Sequence, residues 1–178
     1  EVLIACLEQF ENADNMTERL TALAVLVNSP FEAEKETALA SFADFFKDNP
    51  LVMDQWFSVQ AACALPGALQ RVEQLMQHPA FTLKNPNKVR SLIGAFAGQN
   101  LLGFHQADGS GYRFLADQVI TLNALNPQIA SRLLAPLTRW AKYGSARQAQ
   151  MQEQLQRILA SGELSSDVYE VVSKSLAG

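Results

Sequence analysis

With 178 residues, 48% of them hydrophobic and 18% charged, the chain is long enough to bury a real core and makes one or two domains. A net charge of -4 argues against nucleic acid or an anionic membrane surface as the main partner. The longest apolar runs, such as ALAVLV at Ala22–Val27, are far short of a membrane span. Cys6 and Cys63 stand alone, with no CxxC. A pairing between them is open, but a domain of this size needs no disulfide, and a reducing compartment fits as well.

The chain opens on Glu1 in helical periodicity, with Leu3, Cys6, Leu7 and Phe10 on one face. No cap, basic region or signal peptide precedes it, so a segment of a longer chain is expected. Helix punctuation then dominates. Asn-Pro stands at 49–50, 85–86 and 126–127, and Ser-Pro at 29–30. The polar residue is suited to the N-cap, and the Pro to the next position, where no N–H is needed. Ser29 with Glu32, and Asn15 with Glu18, read as capping boxes. The predicted helices are 1–11, 15–28, 30–47, 50–63, 67–77, 86–98, 111–125, 127–141, 144–160 and 166–176. HPAFTLK (78–84) and NLLGFHQADGSG (100–111) read as loops. No convincing strand is found.

The three Asn-Pro starts lie 36 and 41 residues apart, and two helices per ~40 residues is the period of HEAT-like arrays. The expected fold is all-α: a superhelical array of antiparallel helix pairs, a HEAT/armadillo-like α-solenoid. An irregular bundle is the alternative.

Chemistry is conspicuous by its absence. His78 and His105 read as turn residues rather than ligands. No HExxH, Cys/His cluster, EF-hand loop, P-loop, GxGxxG or GxSxG occurs. DGSG at Asp108–Gly111 reads as a turn into a helix N-terminus.

Two helices have unusual faces. Over 127–141, at about 100° per residue, Ile129, Ala130, Leu133, Leu134, Pro136, Leu137 and Trp140 form a core arc. Gln128, Arg132 and Arg139 line the opposite arc. Gln128 and Arg132 are i, i+4 neighbours, and Arg offers a fixed fork of donors for a carboxylate or carbonyl. Over 86–98, Val89, Leu92, Ile93 and Phe96 form the core face, while Ser91, Gly94, Ala95 and Gly98 leave the other side almost bare, with Arg90 at its edge. Glycine within a helix costs ~1 kcal/mol relative to alanine. The bare side either admits another backbone or leaves a passage. A solvated polar face and ordinary close helix packing are the bland readings of these two features.

The stretches NPNKVRSLIGAFAGQN, FHQADGSGYRFLADQV, LNPQIASRLLAPL and SSDVYEVVSKSLA, with DNMTERLTAL and PLVMDQWFSVQA before them, resemble the C-terminal helical domain of bacterial aminopeptidase N, the zinc-dependent, alanine-preferring gluzincin family. The likeness covers nearly the whole chain. It implies that 1–178 is the C-terminal domain of a larger multidomain chain, with the N-terminal part of that domain missing. It implies a parent hydrolase that removes N-terminal amino acids from peptides. In that family the zinc lies on an HExxH helix with a downstream Glu, and a Gly-x-Met-Glu-Asn loop binds the free amine. Neither occurs here, so the fragment is expected to bind no zinc and to be inactive alone. The domain is expected to wall the substrate cavity, with Gln128 and Arg132 of NPQ-x-ASR and Arg90 of NPN-[KR]-x-R facing it. Lys88 stands where the family also shows Arg. Expected partners are the catalytic and other domains of the same chain and peptide substrates, with neither nucleic acid nor membrane, in the cytoplasm. The rival reading is a non-enzymatic helical-repeat scaffold that binds another protein along its concave face.

Overall fold

Asparagine starts the helices. The computed structural model describes residues 2–178, with side chains from residue 3 onward; Glu1, placed at the head of the first predicted helix, lies outside the described residues. Asn49 Oδ1 accepts from Val52 N–H, Asn85 Oδ1 from Asn87 N–H, and Asn126 Oδ1 from Ile129 N–H, each with Pro in the following position. Asn15 accepts from Glu18 N–H at 2.9 Å. The Ser29 box does not form. Ser29 Oγ donates back to Leu26 carbonyl at 2.7 Å, and the helix begins at Glu32 with Phe31 as an uncapped N-cap. The same oxygen accepts from Phe31 N–H at 3.4 Å, two residues on, rather than from the first turn of the helix.

The helices are α1 (Val2–Asn12), α2 (Met16–Val27), α3 (Glu32–Phe46), α4 (Pro50–Ala61), α5 (Ala68–Leu75), α6 (Pro86–Val89), a π-helical segment Arg90–Gly94, α7 (Ala95–Gln99), α8 (Leu101–Phe104), α9 (Ser110–Leu125), α10 (Pro127–Leu133), α11 (Ala135–Thr138), a 3-10 turn Trp140–Lys142, α12 (Ser145–Leu159) and α13 (Ser166–Ala177). No strand occurs among the described residues. Two corrections to the sequence reading matter later. The predicted loop 100–111 contains α8. The predicted helix 127–141 breaks at Leu134, because Pro136 has no N–H to return to the Arg132 carbonyl four residues earlier.

The helices stack in sequence. α2 contacts α1, α3 and α4; α4 reaches the π segment; α9 packs on α10 and α12; and both of those meet α13. Polar locks follow the same order. Ala64 N–H donates to Asn28 Oδ1, Ser58 Oγ to Ser91 carbonyl, Asn100 Nδ2 to the Ala61 and Cys63 carbonyls, Gln150 Nε2 to Ala107 carbonyl, and Asn123 Nδ2 to Glu163 carbonyl. These partners lie 33 to 43 residues apart in sequence, which is the ~40-residue period of a helix-pair array. Asn100 is buried and fully satisfied, since its Oδ1 also accepts from Gly103 N–H. The core runs unbroken through the stack, from Phe10 and Leu23 by way of Phe57 and Phe96 to Leu155 and Val172.

Candidate functional site

The helix from Pro86 to Gln99 carries a one-residue irregularity. Ala95 N–H reaches back to Arg90 carbonyl, the i to i+5 bond of a π turn. Such turns are frequent at functional sites. Val89, Leu92, Ile93 and Phe96 are fully buried, as their spacing required. The bare side is narrower than the sequence wheel suggested. Ala95 is buried, and half-buried Ser91 bonds Lys88 carbonyl through its Oγ. The extra residue in the turn rotates the face, so only Gly94 and Gly98 remain open.

Nothing packs closely on those two glycines. A Cβ built on Gly94 would meet Leu133 Cδ2 at an ordinary 3.8 Å, and one on Gly98 would meet nothing within 4 Å. They border a cavity of about 300 Å³. Gly94, Ala97 and Gly98 line it on one side, Arg132, Pro136 and Arg139 on the other, and His105, Tyr143 and Leu101 between. Its size falls at the lower end of small-molecule pockets. The break at Leu134 bends the chain around this cavity and brings Arg132 and Arg139 to it from two short helical pieces.

The three residues singled out from sequence fall differently around it. Arg132 lines the cavity. Arg90 opens the π turn one helical turn before Gly94, is exposed, and donates to Asn87 Oδ1 at 3.0 Å. A Cβ on Gly94 would lie 3.9 Å from Arg90 Cβ. Gln128 is exposed on the same face of α10 as Arg132, one turn earlier, and is not among the cavity's lining residues.

Behind the π turn lies a nearly buried ion pair. Lys88 Nζ sits 2.7 Å from Asp54 Oδ1, off the line of a directed hydrogen bond, and donates to Pro50 carbonyl at 3.0 Å. Its ammonium also lies 5.5 Å from the Phe57 ring centre. Together with the bond from Ser58 Oγ to Ser91 carbonyl, this pair pins the turn to α4.

His105 and Arg139 were legible only in part. His105 Nδ1 is 2.7 Å from the hydroxyl of the fully buried Tyr112, and its ring lies 4.4 Å from that of Tyr143. Burial, and then the charge of Arg147, hold the imidazole below its ordinary pKa of 6.5. Burial raises the Tyr112 hydroxyl above 10.0. Arg139 stands seven residues after Arg132, two helical turns on one face, and that spacing was a usable signal. The pairing of His105 with Tyr112 depends on how α8 returns onto α9, which no local pattern announces.

The fold agrees with known proteins. A family model described as Domain of unknown function (DUF3458_C) ARM repeats matches residues 1–177. The chain belongs to this family. Aminopeptidase N of Escherichia coli strain K12 is 43% identical over 177 residues, covering 99% of this chain and 20% of that protein. Aminopeptidase N of Haemophilus influenzae is 41% identical over 169 residues, 95% of this chain and 19% of the relative. A crystal structure of Legionella pneumophila aminopeptidase A in complex with aspartic acid superposes with a TM-score of 0.93 at 38% identity, over 98% of this chain and 20% of that one. The DUF3458_C chain thus matches the C-terminal region of aminopeptidase N and spans about a fifth of the length of these relatives. Among the described residues no three His, Cys, Asp or Glu side chains converge as metal ligands would.

Proposed function

We infer that this chain is the C-terminal helical domain of a zinc-dependent aminopeptidase, and that it walls the cavity through which peptides reach the catalytic domain. Residues 1–178 are part of that domain, its N-terminal portion lying outside the chain. In this reading the zinc and the activated water belong to the remainder of the parent protein. This chain binds and orients the peptide, excludes bulk water, and hydrolyses no aminoacyl substrate by itself. Arg132 donates to the peptide from the cavity wall, and Arg90 and Gln128 extend the same face toward the substrate path. Cys6 and Cys63 are both free thiols, which fits work in the cytoplasm.

The observation that carries the reading is the pair Gly94 and Gly98. Each lowers helix stability by ~1 kcal/mol relative to alanine, yet neither is required by packing within this chain. What both do is hold open the cavity that Arg132 lines. The family match favours a peptide-processing parent for such a cavity.

The test is steady-state kinetics of the intact enzyme with Arg132→Ala. A donor remote from the scissile bond contributes to binding in ground and transition states alike, so KM rises roughly tenfold while kcat changes little. An unchanged KM across several peptides removes the cavity-wall role.

A further inference from the structure

We propose that the cavity between Gly98 and Arg139 is a receptor for a free carboxylate, and that the ligand it takes is the C-terminal end of a short peptide. The proposal rests on the cavity-wall reading and deepens it by naming the end of the substrate that sits there. Four observations converge.

The first is polarity. The side chains that line the cavity include Arg132, Arg139, His105 and Tyr143 but no Asp or Glu. Most arginines of the chain are committed elsewhere. Arg71 pairs with Glu36, Arg157 with Asp117, and Arg147 gives two hydrogen bonds to His105 carbonyl. Among the described residues Arg132 and Arg139 have no such acceptor, although both guanidinium groups border one space. Two planar forks without a counterion suit a carboxylate better than any neutral group.

The second is the histidine. His105 lines the cavity with its Nδ1 engaged by the Tyr112 hydroxyl, which leaves Nε2 as its free polar atom. Arg147, which could compete for an anion, is tied to the His105 backbone instead. The third is the floor. Gly94, Ala97 and Gly98 present no polar side chain and no bulk, so an extended backbone can lie along them. The fourth is size: about 300 Å³ accommodates the end of a peptide rather than a folded partner.

The test is direct binding to the 178-residue chain, followed by the amide N–H resonances of Gly94, Ala97 and Gly98, which line the cavity. Trialanine, trialanine amide and the side-chain acid Ala-Glu-Ala amide are titrated at matched ionic strength in sodium chloride. Trialanine is expected to shift the three resonances saturably and at least tenfold more tightly than its amide. Arg139→Ala brings it down to the amide's level, whereas Arg113→Ala, an exposed arginine outside this cavity, does not. Equal binding of acid and amide, or loss with Arg113→Ala as great as with Arg139→Ala, overturns the proposal. Equally tight binding of Ala-Glu-Ala amide overturns the assignment to the peptide's C-terminal end. These outcomes are separable from the cavity-wall reading, whose own test is KM in the intact enzyme: a raised KM in Arg132→Ala with no acid-over-amide preference leaves the wall and removes the carboxylate.

Discussion

Two turns of this chain carry glycine for opposite reasons. In the first turn of α9, a Cβ on Gly111 would lie 2.2 Å from Phe104 carbonyl oxygen; the residue is glycine because α8 and α9 cross backbone to backbone. Along the π turn and α7, Gly94 and Gly98 face open space. The same residue type is therefore a packing requirement in one place and an unforced cost in the other, and only the unforced cost points to function. Sequence offered no way to tell them apart. GSG at the start of α9 looks like loop punctuation, and IGAFAG reads equally as a close helix contact or a passage.

The largest expected effect comes from closing the crowded turn. In Gly111→Ala the obstructing atoms are backbone, which cannot rotate away, so the loss should be about 3 kcal/mol or more, at or beyond the top of the range for overpacking. Denaturant unfolding measures it. A loss below about 1 kcal/mol would mean that α8 and α9 slide apart easily, and the contrast with Gly98 would lose its firmer half.

Next is the support behind the open turn. Asp54→Ala leaves Lys88, whose side chain is only 7% exposed, without its counterion. Breaking a buried pair in this way is costly, and about 2–3 kcal/mol of destabilisation is expected, somewhat below the usual range because Asp54 retains some solvent contact. Replacing both Asp54 and Lys88 with Leu and Met should recover much of that loss if the residual charge is its source. If the double replacement is as unstable as Asp54→Ala, the pair's packing rather than its charge holds the turn.

How much of this could be read from the letters follows from how local each cause is. Asn49, Asn85 and Asn126 act within three residues of themselves, so every one was legible as a helix start. Ser29 failed because the helix begins only at Glu32, with Phe31 at the N-cap, and the Ser29 oxygen takes the Phe31 N–H instead. The stacked fold was legible because the Asn-Pro spacing matches the distance between locked helices. The π turn was not, since one extra residue shifts the face beyond Arg90 and depends on Ser58 and Pro50 of α4 meeting the Ser91 carbonyl and the Lys88 ammonium. Of the site, Arg132 was identified from its face and from resemblance. His105 was passed over as a turn residue because its partner Tyr112 lies beyond the turn that joins α8 to α9.

His105 links the two turns, with Tyr112 beside Gly111 on one side and the cavity on the other. A histidine held below 6.5 in the folded state binds fewer protons there than in the unfolded chain, so stability rises with pH. His78 is displaced in the same direction, by burial first and then by Lys88. The stability of the chain should therefore be full above about pH 7 and fall as pH drops through 6.5, levelling off below the folded-state values. The depressed carboxyls Asp108 and Glu170 act only at lower pH, around their ordinary values and beneath. Melting temperatures between pH 7.5 and 5.5 test this, and His105→Gln, which keeps an acceptor for Tyr112, should flatten part of the slope. An unaltered slope in that variant would place the titration at His78 alone and detach the cavity from it.

The smallest effect sharpens the comparison most. Gly98→Ala adds a methyl where nothing stands within 4 Å, in a helical residue with ordinary φ. The helix should gain about 0.5–1 kcal/mol, seen as a higher denaturation midpoint with an unchanged slope. On the proposed reading the same methyl projects into the substrate cavity of the intact enzyme, so KM for short peptides should rise even as the domain becomes more stable. Stability and substrate affinity moving in opposite directions is the signature of a glycine kept for the space beside it. If the variant proves less stable, Gly98 belongs with Gly111 after all, and the cavity is a by-product of packing rather than its purpose.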